Sequence, residues 1–361
     1  MSKLIVCTGT LMSGGAERVL SILSKPFADA YDEVEYIMWL DAKYPDVFYK
    51  IDDRVKITRI SIESNSTKYI DHIKWFRKYV KKNKPEVILS FMVMINFSVM
   101  LSLLGIKIPL VLAERNDPRF FHHGMLLRRV INLMYRFSNV KRLVMQTENN
   151  KAYFSLNLQK KIDIIYNPIE LENKLIGKAL YTNKKNLIVS VARLEEQKHQ
   201  HILIESFAEF HKNHPEYSLI LYGEGSMRNS LESQISSLKL QDSIFLPGRT
   251  NDVLNKIIDA KMFVITSLYE GMSNSLLEAL CLGLPCISTK VSGATDLIVD
   301  RQNGILTNID DIDAISKAMS YIAENEEKAY CLGKQAMKTY EQLNVDKISK
   351  QWISCLKNAT V

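Results

Sequence analysis

Strand-like and helical runs alternate through the first half of this chain, break off near Asn167 and Pro168, and begin again at Leu187. Strand, helix, strand in that order builds a parallel sheet covered on both faces, and a second start builds a second sheet. The first series reads as strands at Leu4 to Thr8, Glu33 to Leu40, Val87 to Phe91, Pro109 to Ala113, Arg142 to Gln146 and Ile162 to Tyr166. Its helices are Ala16 to Ala30, Tyr69 to Lys82, Ile95 to Leu104 and Met125 to Phe137. The second series has strands at Leu187 to Val191, Ser218 to Tyr222, Ile244 to Leu246, Met262 to Thr266 and Pro285 to Ser288. Between them come helices at His201 to His211, Met227 to Leu238, Val253 to Ala260 and Ser275 to Leu282. Three more helices follow, in Asp313 to Glu324, Glu327 to Leu343 and Val345 to Leu356. A length of 361 residues accommodates two domains of about 150 to 200 residues each. Open parallel sheets take ligands at the carboxyl ends of their strands, and two such halves joined by a linker put a cleft between them. Function is therefore expected in the loops that follow strands.

Composition is that of an ordered soluble protein, with 47% hydrophobic and 24% charged residues. One stretch tests the membrane alternative: Val87 to Ile106 carries no charge and approaches the roughly 20 residues that span a bilayer. Pro85, Ser90, Asn96, Ser98, Ser102 and Gly105 punctuate it, so it reads as a strand, a buried helix and a tight turn. The apolar run Leu4 to Cys7 near the N-terminus is too short for a signal-peptide core. Five cysteines, with no C-x-x-C pair, read as reduced thiols. A cytoplasmic address is expected. Residues 1–167 hold 26 Lys and Arg against 16 Asp and Glu, a balance of +10, while the remainder holds 21 against 24, a balance of −3. That asymmetry points to an anionic partner, a membrane surface, an acidic substrate or nucleic acid, or to no more than a well-solvated surface.

Several loops after strands carry chemistry. Thr8 to Arg18 places Gly14 and Gly15 just before a helix, where backbone N–H groups can approach an anion. It lacks both G-x-G-x-x-G and the Lys-Ser/Thr of a P-loop. Arg193 and Lys198 lie just past the strand Leu187 to Val191, and two cations there suit a diphosphate leaving group. Gly223 and Gly225 follow the strand ending at Tyr222, and Gly248 and Arg249 close a third strand-end turn. The densest segment is Ser267 to Gly283, in which Glu270 and Glu278 flank Gly271, Met272, Ser273, Asn274, Ser275, Leu276 and Leu277. A helix starting near Asn274 or Ser275 by side-chain capping leaves Glu270 in the loop and Glu278 about one turn in. Carboxylates there accept hydrogen bonds from sugar hydroxyls, and the free N–H groups of a helix start suit a phosphate. The plainer alternative is a loop charge and a helix-surface charge.

Glu270 and Glu278, together with G-G-A-E-R, V-A-R-L-E-E-Q-K-H, L-Y-G-E-G, L-P-G-R, G-L-P-C-I-S-T, S-G-A-T-D-L-I and N-G-I-L in order over residues 3 to 307, resemble the retaining glycosyltransferases of family 4, which have an E-x7-E motif. The resemblance implies the GT-B fold: two Rossmann-like domains with parallel sheets facing each other across a cleft. Residues 1–167 would form the acceptor domain, residues 168–342 the nucleotide-sugar donor domain, and residues 343–361 a helix returning to the first. It also implies that Arg193 and Lys198 hold the donor diphosphate, Glu278 the ribose and Glu270 the sugar hydroxyls. Gly271 to Leu277 would supply backbone contacts, Gly14 and Gly15 the phosphate side, and Leu246 to Arg249 the flank of the base.

Members of this kind move a hexose or N-acetylhexosamine from a nucleotide sugar, here expected to be a UDP-sugar. The acceptor is a saccharide or polyprenyl-diphosphate-linked glycan in bacterial capsule, exopolysaccharide or O-antigen assembly. The family's first-domain His is replaced by Glu114, Arg115 and Asn116, which makes Arg115 and Asn116 the acceptor-side candidates. The rivals are a sugar-nucleotide epimerase of the same fold and a non-catalytic partner subunit. No cofactor, metal or nucleic acid is called for: Asp310, Asp311 and Asp313 read as helix capping. The basic, aromatic stretch Arg119 to Arg142, with His122 and His123, and the lysines 74, 78, 81, 82 and 84 suit a peripheral contact with an anionic membrane, at the inner face of the plasma membrane.

Overall fold

The computed structural model describes residues 2–121, 125–250 and 252–360, with side chains described outside 121–128 and 181. His122 and His123 lie outside the described residues, as do the side chains of Phe121, Leu126, Leu127 and Arg128. The chain divides into two compact units, one made of Met1–Glu170 with Leu343–Val361 and the other of Leu171–Gln342.

The first unit holds a parallel seven-stranded sheet: β1 (Lys3–Thr8), β2 (Glu33–Met38), β3 (Lys56–Arg59), β4 (Val87–Phe91), β5 (Leu110–Ala113), β6 (Val140–Met145) and β7 (Ile162–Ile164), in the order β3-β2-β1-β4-β5-β6-β7. Side chains alternate across a strand, and both faces of β1 are apolar. Leu4 and Val6 meet Val19, Leu23 and Phe27 of the helix Gly15–Ala30 and Ile348, Trp352 and Leu356 of the helix Val345–Asn358. Ile5 and Cys7 face the other way, towards Phe76, Val80 and Val99. Trp352 is fully buried and stacks on Phe91 with ring centroids 5.5 Å apart.

The second unit holds a parallel six-stranded sheet: β8 (Lys185–Val191), β9 (Ser218–Tyr222), β10 (Ile244–Gly248), β11 (Ala260–Ile265), β12 (Cys286–Thr289) and β13 (Ile305–Thr307), in the order β10-β9-β8-β11-β12-β13. Ile188, Leu219, Leu221, Met262 and Val264 pack against Leu203, Phe207, Ile315 and Met319 of the covering helices. In each sheet the order reverses beside the first strand of the unit, so chain ends from both directions open at one edge.

The uncharged stretch folds as β4 and the helix Val93–Ser102. Several of its polar groups are bonded within it or capped: Ser98 Oγ donates to Met94 O (2.8 Å), Ser102 Oγ to Ser98 O (2.8 Å), and Arg77 Nη1 caps the end at Ser102 O (2.8 Å). Among the described residues no helix is long and apolar enough to cross a membrane.

Some expected boundaries are corrected. The helix read as Val253 to Ala260 stops at Ile257, because Ala260 already pairs with Lys185 in the sheet. The run read as one helix from Glu327 to Leu343 is Glu326–Ala336, a 3-10 turn Met337–Thr339 and Tyr340–Leu343. There Thr339 Oγ1 donates to Ala336 O (2.8 Å), a side-chain bond that competes with the helical ladder. Several elements were not anticipated, among them β3, β13 and the helices Ile60–Ser64, Glu148–Ala152, Leu156–Gln159 and Ser292–Leu297.

Candidate active site

Beyond Val191 at the end of β8, the chain threads against the loop that follows β9. Leu194 N donates to Glu224 O (2.9 Å) and Ala192 N to Tyr222 O (3.0 Å). A Cβ on Gly223, which has φ +149°, would stand 1.8 Å from Ala192 O, and one on Gly225 would stand 2.1 Å from Leu194 O. These glycines let two loops lie backbone to backbone, a close approach no larger residue allows. Arg193 rides on this support, exposed to solvent, its carbonyl accepting from Gln200 Nε2 (2.8 Å).

Five residues on, in the 3-10 turn Glu196–Lys198, Lys198 Nζ pairs with Glu270 Oε1. The loop after β11 that carries Glu270 is strapped to the Lys198 loop at several points. Leu268 N donates to Gln197 O (2.9 Å), Gln197 Nε2 to Tyr269 O (2.8 Å) and Thr266 Oγ1 to His199 O (3.0 Å). Ser267 Oγ donates to Glu270 Oε1 (2.8 Å), and Thr289 Oγ1 at the end of β12 donates to Ser267 O (2.7 Å). His199 closes the turn in the left-handed region, φ +55°.

The helix expected near Asn274 is Asn274–Leu282, but no side chain caps it: Ser273 is the N-cap without a side-chain bond. Ser275 Oγ instead donates to Val191 O (2.7 Å), fastening the helix start to the end of β8. The backbone from Gly271 to Met272 presses on Gly293, whose Cβ would stand 2.5 Å from Gly271 O. Met272, Leu276 and Leu277 are buried, while Ser273, Asn274 and Ser275 are half-buried. Glu270 and Glu278 are 6% and 2% exposed, so neither is the solvated charge of the plainer alternative. Buried carboxylates are retained only where partners repay their desolvation.

At the end of β10, Gly248 has φ +90° and packs against Glu224, whose carboxylate is held below the usual range by hydrogen bonds from Arg228. Arg228 Nη2 also donates to Leu246 O (2.9 Å), and Arg249 is exposed. Asp311 Oδ1 caps the helix Ile312–Glu324 by accepting from Ala314 N (3.0 Å). Among the described residues no cluster of three His, Cys, Asp or Glu is placed to hold a metal.

In the first unit, Gly14 is the extended N-cap of the helix Gly15–Ala30. The space beside Gly14 is filled by a side chain: Glu17 folds back, so that a Cβ on Gly14 would stand 2.2 Å from Glu17 Oε2, and Thr10 Oγ1 donates to Glu17 Oε1 (2.7 Å). An acidic group is favourable there for the same reason a phosphate would be. Arg115 follows β5 and is 8% exposed, its guanidinium 5.4 Å from the centroid of Phe91, while Asn116 is half-buried.

Lys198 and Glu270 are thus in direct contact, with Arg193 on the same loop. Gly223 and Gly225 prop that loop, and Ser275 ties in the helix bearing Glu278. Sequence reasoning gave no role to Gln197, in the turn Glu196–Lys198, or to Thr266, Ser267 and Thr289, polar residues at or just past the end of a strand.

Residues 172–339 match the family model described as Glycosyl transferases group 1. Over 99% of this chain and 100% of the relative, the sequence is 27% identical to a Campylobacter jejuni protein named GalNAc-alpha-(1->4)-GalNAc-alpha-(1->3)-diNAcBac-PP-undecaprenol alpha-1,4-N-acetyl-D-galactosaminyltransferase. Among solved structures, the chain is similar to sucrose-phosphate synthase from Thermosynechococcus elongatus, with TM-score 0.84, 16% identity, and 99% of this chain and 98% of that one covered. It is also similar to Anabaena Alr3699/HepE in complex with UDP-glucose, with TM-score 0.79, 18% identity, and 99% and 100% covered. These likenesses show the fold, GT-B, with a parallel-sheet α/β architecture in both units.

Proposed function

We propose that this chain is a retaining glycosyltransferase that moves a hexose or N-acetylhexosamine from a UDP-sugar to a saccharide or polyprenyl-diphosphate-linked glycan during surface polysaccharide synthesis. The observation that carries the reading is the pair of buried carboxylates, Glu270 and Glu278, set with Lys198 inside the segment that matches Glycosyl transferases group 1. The Campylobacter relative, named for a transfer to an undecaprenol-diphosphate-linked glycan, supports the acceptor class. The UDP-glucose complex of the Anabaena protein supports the donor class.

In this reading Arg193 and Lys198 neutralise the donor diphosphate, Glu278 holds the ribose and Glu270 the sugar hydroxyls. Gly271 to Leu277 line sugar and phosphate, Gly248 and Arg249 flank the base, and Gly14 and Gly15 serve a phosphate once Glu17 yields its place. The bond from the anomeric carbon to the diphosphate oxygen breaks while the acceptor oxygen bonds to the same face. The acceptor's proton passes to the departing phosphate. Arg193 and Lys198 stabilise the charge that develops there, and the step calls on no resident metal. Lys74, Lys78, Lys81, Lys82 and Lys84 are exposed along and just beyond the helix Tyr69–Asn83, which buries His72, Phe76 and Val80. A peripheral contact with the anionic inner face of the plasma membrane would bring the enzyme to a lipid-linked acceptor.

The test is incubation of the purified protein with a panel of UDP-, GDP- and ADP-sugars, reading donor binding and nucleotide release with and without acceptor. Binding of none of them overturns the reading, and donor turnover that needs no acceptor marks an epimerase. Unchanged donor binding in both Arg193→Ala and Glu278→Ala would overturn the residue roles. Flotation with anionic liposomes should be lost at high salt, and failure to float at low salt would remove the membrane contact.

A further inference from the structure

Arg115 stands at the carboxyl end of β5, between the ends of β4 and β6, on the edge where an open parallel sheet takes its ligands. It is buried, only 8% exposed, and buried arginines are ordinarily paired with acids. Among the described residues this one has no acidic partner. Nη2 donates to Asn167 Oδ1, and the guanidinium lies over Phe91. With the Gln146 amide turned to suit its neighbours, that side chain donates to Arg115 O (2.7 Å) and accepts from Nη2 (3.2 Å). Nε and Nη1 have no hydrogen-bond partner among the described residues. Burial pushes the group down to about 9, with no carboxylate offsetting it.

An isolated buried cation with two unmet donors costs far more than the stacking on Phe91 returns. Asn167, Gln146 and Phe91 nonetheless hold the guanidinium in place from three strand ends. The arrangement is complete except for an anion. Nε–H and Nη1 belong to different edges of the guanidinium, so one flat carboxylate meets only one of them, whereas a diphosphate, with more charge and more oxygens, offsets more of the buried charge.

The geometry points to Arg115 as the anchor of an oxyanion site in the first unit, one that takes the phosphoryl oxygens of a diphosphate. The site shares no residue with the Arg193 and Lys198 set. It rests on the transferase reading only for what carries the diphosphate, a nucleotide sugar or a lipid-linked acceptor. Both unmet donors are screened from water, so a diphosphate replaces packing over them rather than solvent.

The test uses the full chain with Arg193→Ala and Lys198→Ala, which removes the other proposed diphosphate cations, and inorganic pyrophosphate as the probe. This protein should still bind pyrophosphate, measured by calorimetry. Adding Arg115→Met, which keeps the packing on Phe91, should weaken that binding about tenfold or more. It should also raise the melting temperature in phosphate-free buffer, because an unpaired buried charge is gone. Arg115→Lys, which keeps a charge without the planar fork, should fall between the two in affinity and serves in place of Arg115→Met should that variant not fold. Absence of pyrophosphate binding in the doubly substituted protein, or equal affinity with and without Arg115, overturns the site. In the otherwise natural chain, Arg115→Met weakening UDP-sugar binding identifies the donor as carrier, and weakening farnesyl diphosphate binding identifies the lipid side. Loss of pyrophosphate binding in a protein that binds no sugar nucleotide would keep the site and end the transferase reading.

Discussion

Lys198 and Glu270 form an ion pair between loops 72 residues apart in sequence, with side chains only 14% and 8% exposed. Removing the amine alone leaves a carboxylate with only the Ser267 hydroxyl shown beside it, which costs about 3–5 kcal/mol when a buried charge is stranded. Lys198→Met should therefore destabilise the second unit more than Lys198→Met with Glu270→Gln, with a coupling of about 1 kcal/mol or more. Urea titrations of the four proteins of the cycle measure it, and additivity would mean that the pair does not hold the loops. Both Lys198 variants should lose about 10²-fold in nucleotide release.

The glycines that prop the Arg193 loop are separable from glycines that merely turn the chain. Gly223→Ala puts a methyl group into Ala192 O, a backbone atom that cannot step aside. A loss of about 3 kcal/mol or more is expected, together with loss of donor binding. Gly105 has φ +74° but nothing within 4 Å of a Cβ, so Gly105→Ala should cost only about 1 kcal/mol and leave donor binding intact. Denaturant midpoints and donor calorimetry on both variants check the contrast.

His199 offers a pH test. Burial lowers its pKa from 6.5, His201 lowers it further, and Asp310, 3.3 Å from Nδ1, with Glu196 and Glu205, only partly opposes. The unfolded imidazole therefore takes up its proton first as pH falls through 6.5, and the folded state loses stability until the lower folded value is passed. Above pH 6.5 that contribution is intact. His199→Asn, which tolerates the left-handed backbone, should show a shallower loss of stability on acidification below pH 6.5. An identical pH profile would exclude His199 as its source.

Trp352→Ala should cost about 3–5 kcal/mol, and the loss should fall on the first unit. Hydrogen exchange would show amides of β1 and β4 losing protection while those of β8 and β11 keep theirs. Equal loss in both sheets would mean that the units do not unfold independently.

The long β/α alternation was legible because strands buried on both faces, such as Val87–Phe91, read as continuous apolar runs. The edge strand Lys56–Arg59 buries only Thr58, the strand Ile305–Thr307 has three residues, and the helix Ser292–Leu297 contains Gly293. Each is too short or too polar to produce a period. At the site, glycines and charges after strands could be read singly, but their fastenings could not. Ser275 reaches Val191 across 84 residues and Gln197 reaches Tyr269 across 72, and no local pattern encodes such pairings. Arg115 was singled out because Glu114, Arg115 and Asn116 stand where the resembled family carries a His. Its burial was invisible, since an arginine in a sequence reads by default as a solvated charge.

The helix Val345–Asn358 has a consequence for how the protein is made. The first unit is written in two instalments, Met1–Glu170 and Leu343–Val361, with the contiguous Leu171–Gln342 between them. A ribosome delivers the whole of the later unit before it delivers Trp352, the side chain that covers Phe91. Domains ordinarily fold in the order they are synthesised. Here the order is inverted: the unit begun first is finished last, and until its final helix emerges it presents an open apolar face to the chaperones that attend nascent chains.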